Sequence, residues 1–211
     1  METKYDSTAD TLKHIENVQD KIGQVIEVLR DRSEKHDASK LESPEKETFD
    51  EYTPKLKYST YGSSEYQSYL DNMSVALNHH YDNNRHHPEH FRLQCPKCKN
   101  QFPENKCQCL QFHDGRSYFE KFLCPDCTTE EMSFSPEDEM INDKYSKDHG
   151  INGMNLIDLI EMICDWKAAS ERHNDGDILK SIEINSERFN ITPQLKKILL
   201  NTARSLFNGK K

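Results

Sequence analysis

The sequence predicts a mainly α-helical protein that carries one small, zinc-ribbon-like cysteine module as an insertion. Three observations predict this. Apolar residues recur at three- and four-residue spacing along most of the chain. Six of the seven cysteines fall between residues 95 and 127, where that spacing stops. Four of those six form two pairs of the same shape, Cys-Pro-x-Cys.

The elements follow in order. Ser7-Thr8-Ala9-Asp10 has the composition of a helix start. Behind it Leu12, Ile15, Val18, Ile22, Val25, Ile26 and Leu29 keep helical spacing. A polar run at 30–35 leads to His36-Asp37-Ala38-Ser39-Lys40. Ser43-Pro44-Glu45 opens a second helix, and residues 53–64 read as a loop. Tyr66, Leu70, Met73, Leu77 and His80 step by four, three, four and three, so one helix places them on one face and His80 points inward. Pro88 disfavours helix at His87, which puts the later histidines on a loop. Beyond the cysteines, Gly150-Ile-Asn-Gly153 precedes a helix over about 154–170. Two more are expected over about 176–189 and 193–208, the last with Thr192 as its cap and Pro193 at its first position.

The composition excludes several function classes. The 211 residues suit one domain with an insertion, or two small domains. The net charge of -9 argues against nucleic acid as the default partner. No run of about 18 apolar residues exists, so no membrane partner is expected. The start lacks an apolar signal segment, so the expected location is the cytoplasm, where thiols are reduced. Seven cysteines there point to metal before disulfides.

Cys95, Cys98, Cys124 and Cys127 have the spacing of two knuckles that together close a tetrahedral zinc site. Four thiolates leave no position for substrate, so this zinc is expected to be structural. Cys107 and Cys109 are either unligated thiols on a hairpin or, with His113, ligands of a second ion.

A second concentration is odder. Five of the ten histidines lie within residues 78–91, in N-H-H-Y-D-N-N-R-H-H-P-E-H-F. His14 lies at the edge of the first apolar stripe. His36 and Asp37 are adjacent. Asp158, Met162, Asp165 and Ala169 step along one helical face, although Asp158 also reads as an acid favoured at a helix start. A buried carboxylate is costly unless paired or metal-bound. Imidazoles and carboxylates converging on one interior would be satisfied together by a divalent ion.

These residues resemble a known family. H…HD…D carried on helices is the pattern of the HD-domain metal-dependent phosphohydrolases. His36-Asp37-Ala-Ser-Lys40 resembles their H-D-x-G-K motif, with Ser in place of Gly. The wider pattern is similar to a little-characterised HD-like branch frequent in bacteriophage genomes, through T-L-K-H-I, H-D-A-S-K-L-E-S-P-E, T-P-K-L-K, H-H-Y-D-N-N-R-H-H-P-E-H-F and N-G-M-N-L-I-D-L-I-E-M-I-C-D-W-K-A-A. The resemblance implies an HD-like helical domain over 1–91 plus 149–211, with the zinc-ribbon-like insertion at 92–148. It implies His14, His36, Asp37 and Asp165 as core metal ligands, and His80, His86, His87 and His90 as candidates for a second metal position. Asp158 is a further candidate near the metals.

The implied chemistry is hydrolysis of a phosphate ester, most naturally in a small-molecule nucleotide, by metal-activated water. The divalent ion could be Mn, Mg, Fe, Co or Zn. Asp37 would bridge metals, and Lys40 and Arg85, with Arg172, would contact phosphate. His80 or a nearby carboxylate would serve as the proton donor to the leaving oxygen. Tyr52, Tyr58 and Tyr61 suit either base stacking or core packing. One turn condition follows. His14 and His36 would be about 33 Å apart on one straight helix at 1.5 Å per residue, so sharing an ion requires the chain to turn between them. Two other functions fit the same residues. One is an inactive HD scaffold whose ribbon binds a host protein or nucleic acid. The other is an enzyme acting on a polymer, with Lys97, Lys99, Lys106, Arg116 and Lys121 of the ribbon holding the strand.

Overall fold

The computed structural model describes residues 5–60, 63–94, 101–102, 108–113, 118–123, 150–172 and 176–207. The chain divides into two compact units, Met1–His36 and Asp37–Lys211. It is mainly helical, with seven α-helices among the described residues. None of them is long and apolar enough to cross a membrane.

The first unit is one helix, α1, over Thr8–Lys35. The turn that His14 and His36 would need in order to share an ion is not there. The polar run is held in helix by pairs one turn apart. Arg30 Nη1 lies 2.8 Å from Glu27 Oε1, and Lys35 Nζ lies 2.6 Å from Asp31 Oδ1. Such pairs contribute only about 0.3–0.5 kcal/mol each, but nothing in the run opposes helix. Gly23 stays within the helix, where an added Cβ would meet nothing.

The second unit begins with a 3-10 turn, Ala38–Leu41, and then α2 over Glu45–Tyr58. The helix runs through Pro54, so residues 53–58 are helix and not the expected loop. Proline normally interrupts a helix interior. Here one ion pair spans it, with Lys55 Nζ 2.6 Å from Glu51 Oε1, and a second lies ahead of it, with Lys46 Nζ 2.7 Å from Asp50 Oδ2. Tyr52 also packs against Tyr69 of the next helix.

The apolar stripe from Tyr66 to His80 lies on two helices, α3 over Ser64–Asn72 and α4 over Ser74–Asn83. Met73 ends one and starts the next, at φ -85° and ψ 1°. The expected face survives the break: Met73 and His80 are buried, and Tyr66, Leu70 and Leu77 are half-buried. A 3-10 turn over Pro88–His90 follows.

Two short antiparallel pairs lie in the cysteine-rich segment. Strand β1 (Leu93–Gln94) pairs with β2 (Gln101–Phe102), and β3 (Gln108–His113) pairs with β4 (Tyr118–Leu123). Cys109 lies on β3, in register with Phe122. Cys95, Cys98, Cys107, Cys124 and Cys127 lie outside the described residues. Beyond the segment, Gly150 N–H donates to Phe91 O at 2.8 Å, so the chain re-enters the helices beside the point where it left them. Gly150 sits at φ 53°, a left-handed conformation that glycine adopts at little cost.

Three helices complete the unit: α5 over Leu156–Ser170, α6 over Ile178–Arg188 and α7 over Pro193–Leu206. Each start is capped by side chains. Asn155 and Asp158 form a capping box on α5, Asp177 accepts from Leu179 N–H at 2.8 Å, and Thr192 precedes Pro193. Met162, Ile163, Trp166, Ile178, Ile182, Ile191, Leu199 and Ala203 form the core among these helices. Burying each large apolar side chain contributes about 1.5–3 kcal/mol. Trp166 stacks on Phe189 with an interplanar angle of 6°. This core fixes α5 rigidly, and with it the carboxylates that α5 presents.

Candidate metal centre

Asp37 takes a left-handed conformation, φ 56° and ψ 15°. Aspartate is among the few residues other than glycine that visit this region, though at some cost. Lys40 N–H donates to Asp37 O at 2.9 Å and closes the 3-10 turn. The same turn brings Lys40 Nζ to 2.6 Å from Asp37 Oδ2. Lys40 also lies 5.2 Å from the Phe49 ring centre, so this ammonium is held on two sides.

Asp37 Oδ1 faces the histidines. It lies 3.5 Å from His80 Nε2 and 3.5 Å from His86 Nε2. His80 Nε2 lies 2.9 Å from His87 Nε2. Asp37, His80, His86 and His87 each offer one ligand atom, all within 4.8 Å of one another. His80 and His86 are buried, at 2% and 1% exposure. His80 comes from the last turn of α4. His86 and His87 come from the loop that ends before Pro88, where the sequence placed them.

The outer nitrogens of these rings meet carboxylates. His80 Nδ1 lies 2.8 Å from Glu45 Oε2, and His79 Nδ1 lies 2.7 Å from Glu45 Oε1. Glu45 is fully buried in the first turn of α2. His86 Nδ1 lies 3.1 Å from Glu161 Oε1 on α5. Asp165, one turn further along α5, places a carboxylate oxygen within 4.8 Å of a His86 ring nitrogen. Asn84 donates to Ser39 Oγ and to His80 O, both at 2.8 Å, and so ties the loop to the 3-10 turn.

Burial favours the neutral form of His80 and His87. It pulls His80 below the ordinary histidine value, and the Lys40 ammonium adds to the effect, against the opposing pull of Asp37 and Glu45. Burial pulls His87 well below that value, helped by His86 and His80. Burial and then the Glu89 carboxylate push Tyr81, whose ring lies against His87, up to about 12. Neutral imidazole is the form that binds metal.

The residues fit a divalent ion. With metal–nitrogen bonds of about 2.1 Å, ligands at right angles lie about 3 Å apart and tetrahedral ligands about 3.4 Å apart. The 2.9 and 3.5 Å separations match those spans. Carboxylates behind metal-facing histidines are the usual outer arrangement of such sites.

Other expected site residues stand elsewhere. His14 is exposed on α1 and, because α1 is continuous, lies about 33 Å from His36 along the helix. The two cannot hold one ion together, which removes His14 from the ligand set it was expected to share. His36 caps the end of α1 and immediately precedes Asp37. Asp158 is fully buried. Its Oδ2 accepts from Asn155 N–H at 3.1 Å, and both its oxygens meet the fork of Arg85, at 3.3 and 3.1 Å. Asp158 is therefore a cap and an ion-pair partner, and Arg85, stacked on Phe91, is its counterion where a phosphate contact was expected. His90 meets Tyr81 O through Nδ1 at 2.8 Å and pins the loop back onto α4. Arg172 is exposed in the turn after α5, Tyr58 is 86% exposed, and Tyr61 lies outside the described residues.

A family model described as a family of unknown function (DUF5662) matches residues 3–108 and 138–205. The chain belongs to this family. The match skips residues 109–137, inside the cysteine-rich segment, while Asp37, His80, His86, His87, Glu45 and Glu161 all fall within it. Comparisons with curated proteins and with solved structures found no match.

Sequence reasoning missed Glu45, Glu161, Asn84 and Ser39. Asn84 carries a local signal, since it follows His80 by one helical turn. Ser39 lies inside the His-Asp motif itself. Glu45 reads from sequence only as a favourable acid in a helix start.

Proposed function

We propose that this member of the family is a metal-dependent phosphohydrolase of the HD type, acting on the phosphate ester of a nucleotide or a related small molecule. The observation that carries the reading is the convergence of ring nitrogens from His80, His86 and His87 with a carboxylate oxygen of Asp37, all within 4.8 Å of one another, beside the Lys40 ammonium. His36 and Asp165 are the further ligands that the resemblance implies. The structure supports Asp165 through its closeness to His86, and sequence adjacency to Asp37 supports His36.

Three imidazoles and a carboxylate suit Mn, Fe, Co or Zn better than Mg, which prefers oxygen and water. When bound, such an ion supplies Lewis acidity toward a phosphoryl oxygen and toward water. The chain's own residues do the rest. Asp37 and the three rings fix the ion's position. Lys40 offers positive charge at the rim of the cluster, where phosphate charge needs balance. Glu45 and Glu161 hold the rings from behind. The four-thiolate zinc at Cys95, Cys98, Cys124 and Cys127 belongs to the same proposal as a stabiliser of the insertion.

The test is phosphate release from a panel of nucleoside mono-, di- and triphosphates and cyclic nucleotides by the full chain, supplied in turn with Mn, Fe, Co, Zn and Mg. The expected result is metal-dependent release that His86→Ala abolishes. No release from any substrate with any of these ions, by protein shown to hold metal, would overturn the reading.

A further inference from the structure

We propose that Glu45 is the positioning residue of this centre: its one buried carboxylate accepts hydrogen bonds from the Nδ1–H groups of both His79 and His80, and so leaves the Nε2 lone pair of His80 aimed at Asp37, His86 and His87. The consequence for metal holding rests on the reading given above. The proton placement rests on the geometry alone.

An ionised carboxylate only accepts hydrogen bonds. Glu45 Oε1 meets His79 Nδ1 at 2.7 Å and Glu45 Oε2 meets His80 Nδ1 at 2.8 Å. With Glu45 as carboxylate, each ring carries its proton on Nδ1. Two other groups approach His80 Nδ1, Asn84 Nδ2 at 3.0 Å and Ser39 Oγ at 3.5 Å. The amide has two hydrogens, and both are spent, on Ser39 Oγ and His80 O. The hydroxyl stands at the limit of hydrogen bonding. Neither displaces the carboxylate as the partner of Nδ1.

With Nδ1 protonated, His80 Nε2 is bare. Facing it at 2.9 Å, His87 Nε2 must then carry the shared proton in the metal-free protein. His87 is thus the ring that has to move its proton to Nδ1 when all four groups take an ion, while His80 is already set. Glu45 prepares a ligand without touching the ion. A buried carboxylate facing two histidines is also a sharp target, because glutamine offers only one acceptor and can serve only one of the two rings.

The test uses the full chain with 15N-labelled histidine, free of added metal. Long-range 1H–15N correlation spectra report which nitrogen of each ring is protonated. The expected wild-type result is Nδ1–H on both His79 and His80. Glu45→Gln should remove that state from at least one of them and weaken uptake of Mn or Zn by about 10–100-fold, with helix content unchanged. A wild-type His80 protonated on Nε2 overturns the proposal. So does a Glu45→Gln protein that keeps both tautomers and its metal affinity. If Glu45→Gln does not fold, the wild-type spectrum decides. If wild type shows Nδ1–H on both rings but takes up no divalent ion at this site, Glu45 keeps its placement and the metal reading falls.

Discussion

His80 Nε2 and His87 Nε2 face each other at 2.9 Å, with Asp37 Oδ1 3.5 Å from the first. Two imidazole nitrogens that close need either a proton or a cation between them. Burial works against extra protons on both rings, so the metal-free arrangement holds a single proton between them, and an ion held by all four groups would replace it.

Loss of one metal-facing ring should therefore cost more than loss of an outer carboxylate. His80→Ala and His86→Ala should each weaken divalent metal uptake by more than the roughly 10–100-fold typical of outer-partner changes. Calorimetric titration with Mn or Zn measures this. Uptake equal to wild type in either variant contradicts the ligand set.

The depressed His87 value has a consequence for stability. The unfolded chain takes up a proton at this imidazole near pH 6.5, while the folded chain resists it. The folded state thus binds fewer protons below that pH. Stability should fall as the pH drops below about 6.5, toward the lower folded-state value, and His87 should add no pH dependence above it. Urea melts between pH 5 and 8 without added divalent metal report the slope. His87→Gln should flatten it, and an unchanged slope would show that His87 does not carry the effect.

Arg85 and Asp158 separate a structural pair from a phosphate contact. Asp158 is fully buried and Arg85 is 43% exposed, so removing the arginine strands a buried carboxylate that still caps α5. Arg85→Ala should destabilise the fold by about 1–3 kcal/mol, the usual cost of leaving a buried group short of its partner. Metal uptake should not change. A raised KM with unaltered stability would instead make Arg85 a substrate contact.

His14 offers the opposite case. His14→Ala changes an exposed position on a continuous helix, and its effect on stability should stay within about 0.5 kcal/mol. Metal content should match wild type. Loss of one ion per chain would restore His14 as a ligand and require a bend in α1.

The readable parts of this molecule are those whose signals are local. The stripe from Tyr66 to His80 pointed His80 inward, and the break at Met73 did not rotate it out. Pro88 put His86 and His87 on a loop, which is where they stand. The helices after Gly153 were readable, the last of them from its Thr192 cap and Pro193. Long-range pairing was not readable. Glu45 lies 35 residues before His80, and only the packing of α2 on α4 brings them together. Asp158 and Asp165 share one helical face, and the reading of Asp158 as a helix-start acid is the one that holds: the capping box and Arg85 take it, while Asp165 sits near His86. The continuation of α1 through the polar run before His36 was not readable, because polarity does not distinguish a loop from a solvated helix. The same ambiguity hid the helix through Pro54.

The central claim is that Asp37, His80, His86 and His87 hold a divalent ion. Metal content per folded chain, measured by mass spectrometry after reconstitution with Mn and Zn, tests it most directly in wild type and in Asp37→Asn/His86→Ala. The account predicts at least one ion in wild type that the double variant lacks, in addition to any zinc held by the cysteines. Equal metal content in the two folded proteins would contradict it.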